Sequence, residues 1–128
     1  MLKQRLPGRW RLVSYEARNA QGVGRHPMGP DALGVLQYSA EGKVSVHIMT
    51  RAADGYFAYY GDYEVDEAHG AVTHLIELSS DPGFVGVRNL RHAALEGEGI
   101  GARLVLSGPM VFDGESHTIR VLWVREVD

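Results

Sequence analysis

The sequence predicts an all-β fold: a single eight-stranded antiparallel up-and-down β-barrel with a short N-terminal helical turn. Three observations favour this class. Short apolar runs recur along the whole chain, sixteen glycines separate these runs instead of gathering in a linker, and convincing helical periodicity is lacking after the first eight residues. The 128 residues suit one domain, which we expect to cover residues 1–128.

Eight of the apolar runs are predicted as strands, and Met1–Pro7 has room for one helical turn. Val23–Pro30 is predicted to be irregular, because its two prolines cannot donate hydrogen bonds to a central strand. Eight short strands with tight connections are typical of an up-and-down barrel or a sandwich. The predicted strands are Arg9–Arg18, Leu33–Ser39, Lys43–Thr50, Tyr56–Asp66, Ala71–Ser80, Val87–Leu95, Ala102–Ser107 and Thr118–Val127.

Alternating side chains favour the barrel over the sandwich. A three-residue loop, Ala40–Glu41–Gly42 with Gly42 left-handed, is predicted between the second and third strands. A turn centred on Ala68 and His69 is predicted between the fourth and fifth. Each hairpin then has one polar and one apolar face, as a barrel wall needs. The apolar faces hold Leu36, Tyr38, Val44, Val46 and Ile48 in the first hairpin, and Phe57, Tyr59, Tyr63, Val65, Val72, His74, Ile76 and Leu78 in the second.

The composition argues against several classes of function. A formal net charge of −3 disfavours a nucleic-acid partner, which needs a concentrated basic face. The absence of cysteine excludes disulfides and cysteine-based metal sites. Without a signal peptide or an apolar run near the ~20 residues of a membrane span, we expect no membrane partner and a cytoplasmic location. The six histidines lack metal-ligand spacing, so no metal and no cofactor is predicted, and a homodimer is left open.

Short motifs near both ends of the chain carry a family resemblance. Gly8-Arg9-Trp10 at the start of the first strand matches the glycine-x-tryptophan signature of lipocalins, and Arg125 matches the arginine of their last strand. With the segments 8–22, 29–49, 57–86 and 121–126, the chain resembles the lipocalin-like domain family of small bacterial and fungal barrel proteins. The resemblance implies a lipocalin-like barrel with an internal cavity, in which Arg125 packs over Trp10 and closes the base.

An imidazole and phenols on one inward face form the first candidate site. His74 is predicted to lie opposite Tyr63 across the hairpin, with Tyr59 and Phe57 on the same face. A few polar groups in an apolar interior are what a small-molecule site needs. The alternative is a buried core histidine that is satisfied by a tyrosine hydroxyl. Both interpretations stay open, because eight-stranded barrels can hold a ligand or be filled with side chains.

Arg91 and Trp123 complete the candidate site together with Tyr38. If Arg91 faces inward it must be paired or meet an anion, so it could anchor a ligand carboxylate or enolate. The alternative is a bulge that turns Arg91 outward and leaves Arg88 or His92 inside. Trp123 is expected to form part of the cavity wall, with pure packing as the more common role of such a residue.

The function predicted is binding of a small, largely apolar organic molecule inside the barrel. The predicted ligand-binding residues are Tyr38, Phe57, Tyr59, Tyr63, His74, Arg91 and Trp123. The alternative is a small barrel enzyme, a cyclase, isomerase or hydratase acting on a polyketide- or terpenoid-like substrate. Its best catalytic candidates are His74, Tyr63 and Arg91, because donors held in a dry cavity can stabilise an enolate.

Overall fold

The computed structural model describes residues 1–127 and consists of one short helix, nine strands and a 3-10 turn. Asp128, the last residue of the predicted domain, lies outside the described residues. The elements are α1 (Leu2–Arg5), β1 (Gly8–Asn19), β2 (Gly24–Arg25), β3 (Leu33–Tyr38), β4 (Lys43–Met49), β5 (Tyr56–Asp66), β6 (Ala71–Ser79), the 3-10 turn (Pro82–Phe84), β7 (Arg88–Glu96), β8 (Arg103–Phe112) and β9 (Glu115–Val127).

Eight of the strands form a closed antiparallel barrel, which confirms the predicted fold class. Each strand from β3 to β9 pairs with the next one along the chain, β1 pairs with β3, and β9 returns to pair with β1. Closure leaves the eight barrel strands without an open edge. No helix within residues 1–127 has the length and apolar character needed to cross a bilayer.

Two parts of the predicted strand map are wrong. Val23–Pro30 contains β2, which pairs with β1 through Ala17 and Arg25, before the first proline of the segment. The second error is the length of the last hairpin. β8 continues from Ser107 to Phe112, and β9 already begins at Glu115. Pro109 does not end β8, because β8 has no paired β7 residue beyond Ser107 and so needs no donor on that side.

The first predicted hairpin has the expected register. Gly42 is left-handed, with a φ of 94°, and the Ser39 amide donates to the Lys43 carbonyl at 2.9 Å. Tyr38 lies opposite Val44 as a result. The predicted apolar face of this hairpin is buried: Leu36, Tyr38, Val44, Val46 and Ile48.

The second hairpin departs from simple alternation at one residue. Tyr63 lies opposite His74 as predicted, but Tyr60 pairs with Leu78 while Gly61 pairs with Ile76. The extra residue in β6, Glu77, is a β-bulge that changes the side of the sheet on which the next residue lies. Leu78 was predicted to face inward and is instead 60% exposed.

The floor of the barrel is closed by a tryptophan, an arginine and the N-terminal helix. The Arg125 guanidinium lies 4.3 Å from the Trp10 ring centroid, which confirms the predicted stacking. The indole N–H of Trp10 donates to the Leu6 carbonyl at 3.0 Å, and Leu6 is fully buried. Arg125 also donates to the backbone carbonyls of Pro7 and Arg5. These contacts fix α1 under the barrel.

Candidate functional site

A small cavity lies inside the barrel above this floor. It has a volume of about 50 Å³, far below the roughly 300–1,000 Å³ of drug-sized ligand pockets, so side chains fill most of the interior. Five of the seven predicted ligand-binding residues line it: Phe57, Tyr59, His74, Arg91 and Trp123. The rest of the wall is mostly aliphatic, with Val46, Ile48, Leu106, Met110, Ile119 and Val121, together with Tyr15 and Asn89.

Arg91 faces the interior, which is the first of the two orientations that the sequence left open. It is 5% exposed, and its neighbours Leu90 and His92 point outward. One terminal nitrogen, Nη1, donates to the carbonyl of Leu90 at 2.8 Å. The other, Nη2, is buried and has no hydrogen-bond partner. Burial lowers the pKa of Arg91, yet a guanidinium stays protonated in proteins, so a positive charge lies in the cavity wall.

Trp123 presents a second unsatisfied donor to the same cavity. The residue is 2% exposed, and its indole Nε1 has no hydrogen-bond partner. Trp10 differs in this respect, because its indole N–H is bonded to Leu6. A buried indole N–H usually finds a partner. Two residues that line the small cavity therefore each carry a buried donor without a hydrogen-bond partner.

His74 is held between two tyrosine hydroxyls. Its Nε2 lies 2.6 Å from the Tyr38 hydroxyl, and its Nδ1 lies 2.6 Å from the Tyr59 hydroxyl. A neutral imidazole has one donor and one acceptor nitrogen, so the two hydroxyls satisfy it completely in either tautomer. This arrangement corresponds to the satisfied core histidine that was one of the two interpretations of the sequence.

The environment of His74 keeps its imidazole neutral. Burial, and then the positive charge of Arg91, lower the pKa of His74 to about 3. Burial also raises the pKa values of Tyr38 and Tyr59, so both hydroxyls stay protonated. The group around His74 is therefore uncharged over the physiological pH range.

Two predicted site residues do not line the cavity. The Tyr63 hydroxyl donates to the Ser39 carbonyl at 2.7 Å rather than to His74. Tyr38 packs edge-on against Tyr63, with ring centroids 4.7 Å apart, and reaches His74 from this side. Tyr38 and Tyr63 therefore support other residues and do not form part of the cavity wall.

A larger apolar pocket adjoins the cavity at the open end of the barrel. It has a volume of about 290 Å³ and shares Tyr15, Phe57 and Met110 with the inner cavity. Phe57 packs edge-on against Phe84 of the 3-10 turn, at 5.2 Å between centroids. The other lining residues are Arg25, Pro27, Met28, Asp81, Val111 and Phe112. We call this pocket the mouth.

The residues that form the mouth were not predicted as a group from the sequence. Met28 lies in the segment that was predicted as irregular. Phe112 lies beyond Ser107, where the seventh predicted strand ends. Tyr15 faces inward only because a bulge at Val13 shifts the alternation of β1.

Within residues 1–127, no group of three or more acidic, histidine or cysteine side chains is placed to hold a metal ion.

Comparison with known protein families agrees with this architecture. The model of the lipocalin-like domain family matches residues 7–126, which include every residue of the inner cavity and of the mouth. No curated protein matches the chain. The match covers far more than half of the sequence, so the chain belongs to the family of lipocalin-like domains.

Proposed function

We propose that this barrel binds a small, largely apolar organic molecule, which enters through the mouth and reaches the inner cavity. The observation that carries the proposal is that the two spaces adjoin and share Tyr15, Phe57 and Met110 as lining residues. The mouth alone is near the lower limit of ligand-pocket volumes, roughly 300 Å³. A compact molecule fits this space better than a long one.

The chemistry of the wall supports an apolar ligand with one polar end. The mouth is lined mainly by aromatic and methionine side chains, and methionine adapts readily to different ligand shapes. The inner cavity adds the unsatisfied donors of Arg91 and Trp123. Small-molecule sites combine such apolar walls with a few placed polar groups.

The enzyme alternative has less support. A general acid or base works best with a pKa near the operating pH, whereas that of His74 is lowered to about 3. Both of its ring nitrogens are also bonded to tyrosine hydroxyls. The Tyr63 hydroxyl donates its hydrogen bond to the Ser39 carbonyl rather than to His74. Of the three catalytic candidates, Arg91 alone offers a free donor to the cavity.

A neutral apolar fluorophore tests the binding role. N-phenyl-1-naphthylamine is expected to bind the wild-type protein saturably, one molecule per chain, with a rise in its fluorescence. The variant Met110→Trp adds bulk at a residue that lines both the mouth and the inner cavity, so we expect it to weaken binding about tenfold or more, because the added ring takes space from the ligand.

Leu90→Trp is the matched control, because it adds the same ring on the outer face of β7, where Leu90 is 58% exposed. This variant is expected to bind the fluorophore as the wild type does. Equal affinity in both variants, or no saturable binding to the wild type, would contradict the proposed role.

A further inference from the structure

Building on the binding role proposed above, we propose that the ligand is a small monocarboxylic acid. Its carboxylate lies in the inner cavity against the Arg91 guanidinium and the Trp123 indole N–H, and its apolar body lies in the mouth. The inference concerns the polar end of the ligand, which the apolar mouth does not specify.

An unpaired guanidinium is the first observation that points to an anion. Among the ion pairs within residues 1–127, none includes Arg91. The ionisable groups that interact with it most are the hydroxyls of Tyr15 and Tyr59, which are neutral near pH 7. A buried charge is costly unless it is paired. A bound carboxylate would supply the missing partner.

A second donor lines the same cavity independently. The Trp123 indole comes from β9 and the Arg91 side chain from β7, so two separate elements each bring a residue with an unsatisfied buried donor to the lining of this cavity. A carboxylate accepts hydrogen bonds at both of its oxygens, whereas neither donor matches an apolar group. The cavity of about 50 Å³ suits a small polar group and no more.

Gly108 leaves room for the guanidinium of Arg91. A Cβ atom at Gly108 would lie 2.9 Å from Arg91 Nη1 and 3.2 Å from its Cδ, closer than ordinary contacts. The lack of a side chain at Gly108 therefore lets the arginine lie flat against β8. The bond from Nη1 to the Leu90 carbonyl also holds the side chain in this position, and a side chain held before binding loses less entropy on binding.

A single cation favours a singly charged ligand. Among residues 1–127, Arg91 is the one positively charged residue that lines the inner cavity. Arg25, at the mouth, already lies 3.6 Å from Asp113 and over the Phe112 ring. A phosphate dianion would keep one uncompensated charge in an apolar interior, at high cost. A carboxylate is matched in both charge and size.

Competition between two ligands of the same shape tests this inference. 2-Naphthoate and 2-naphthamide share one apolar body and differ in the charge of the head group, and each is used to displace N-phenyl-1-naphthylamine at pH 7. We expect 2-naphthoate to bind the wild type about tenfold or more tightly, the gain typical of hydrogen bonds to a charged group. Arg91→Met is expected to abolish this preference while still binding the neutral fluorophore.

Two tryptophan variants separate the donor from the ring. Trp123→Phe removes an open donor and is expected to reduce the preference for 2-naphthoate about threefold or more. Trp10→Phe removes a donor that is already bonded to Leu6 at the floor, and is expected to keep the preference.

The outcomes distinguish the two proposals. If the fluorophore binds but the wild type shows no preference for 2-naphthoate, the cavity holds water and the carboxylate inference is wrong, while the binding role stands. A preference that survives in Arg91→Met also overturns it. If neither the fluorophore nor either competitor binds, both proposals fail. The wild-type comparison decides the matter even if a variant does not fold.

Discussion

At the scale of single residues, the two buried polar side chains His74 and Arg91 differ in how many of their nitrogens have hydrogen-bond partners. His74 has a tyrosine hydroxyl on each ring nitrogen and needs nothing further. Arg91 has one bonded terminal nitrogen and one buried terminal nitrogen without a hydrogen-bond partner. A satisfied buried group contributes to the fold, whereas an unsatisfied one costs stability. The contacts of His74 are those of a structural residue, whereas Arg91 is the residue that the proposed ligand would satisfy.

The buried imidazole predicts a pH dependence of stability. The pKa of His74 falls from an ordinary 6.5 to about 3 in the folded protein, so the unfolded chain binds the extra proton first. The free energy of unfolding should fall as pH decreases through this window, by about 1.4 kcal/mol per pH unit, or about 2 kcal/mol between pH 6.5 and 5. Urea unfolding at several pH values measures it.

His74→Gln provides the comparison for this pH dependence. Glutamine keeps a donor and an acceptor for the tyrosines but does not titrate. Its unfolding free energy should depend less on pH between 5 and 6.5, by one proton. Parallel curves for the two proteins would mean that His74 is not held neutral by the fold.

Residue positions were predictable to the extent that they follow local alternation. Alternation placed His74 inward and left two orientations of Arg91 open, and both residues are buried. Tyr63 was predicted to lie opposite His74, and it does so, but its hydroxyl bonds elsewhere. One of the two hydroxyls that hold His74 belongs to Tyr38, which comes from β3, two strands farther around the barrel than β5. Contacts between side chains of non-neighbouring strands depend on how the sheet curves, and the alternation within each strand does not specify that curvature.

At the scale of elements, two bulges determine which side chains reach the cavity. Val13 is the extra residue of β1, so Tyr15 faces inward although it is out of step with Trp10. Glu77 is the extra residue of β6, and it turns Leu78 outward. Bulges bend strands and re-aim side chains. Neither was predicted, because the sequence on each side alternates regularly.

The bulge in β6 predicts a strong requirement for glycine at position 61. A Cβ atom there would lie 1.9 Å from the backbone oxygen of Leu75, which cannot move as a flexible side chain would. Gly61→Ala should therefore lower the free energy of unfolding by about 2 kcal/mol or more. Gly24→Ala is the control, because its nearest neighbours lie 3.6 Å away, and it should change stability by no more than about 0.5 kcal/mol.

At the scale of the whole molecule, the barrel is closed at one end and open at the other. The floor holds Trp10 and Arg125 with α1 beneath them. The opposite end carries the mouth. The closed barrel and its floor were predictable, since they rest on strand spacing and two end motifs. The small size of the inner cavity was not, because the volumes of side chains from eight strands decide it together.

The floor predicts a large loss of stability on truncation. Trp10→Ala removes a fully buried ring, its hydrogen bond to Leu6 and the surface on which Arg125 lies. The free energy of unfolding should fall by about 3–5 kcal/mol, as for other core aromatic truncations. Thermal unfolding measures it, and an unchanged melting temperature would show that Trp10 does not hold the floor.

The location of a bound apolar molecule is the most direct test of the central claim that the barrel takes its ligand through the mouth. The chain has four methionines, of which Met28 and Met110 line the mouth, while Met1 and Met49 do not. With methyl-labelled methionine and N-phenyl-1-naphthylamine, NMR should give ligand contacts and shift changes at Met28 and Met110 alone. Contacts confined to Met1 or Met49, or to none of the four, would contradict the claim.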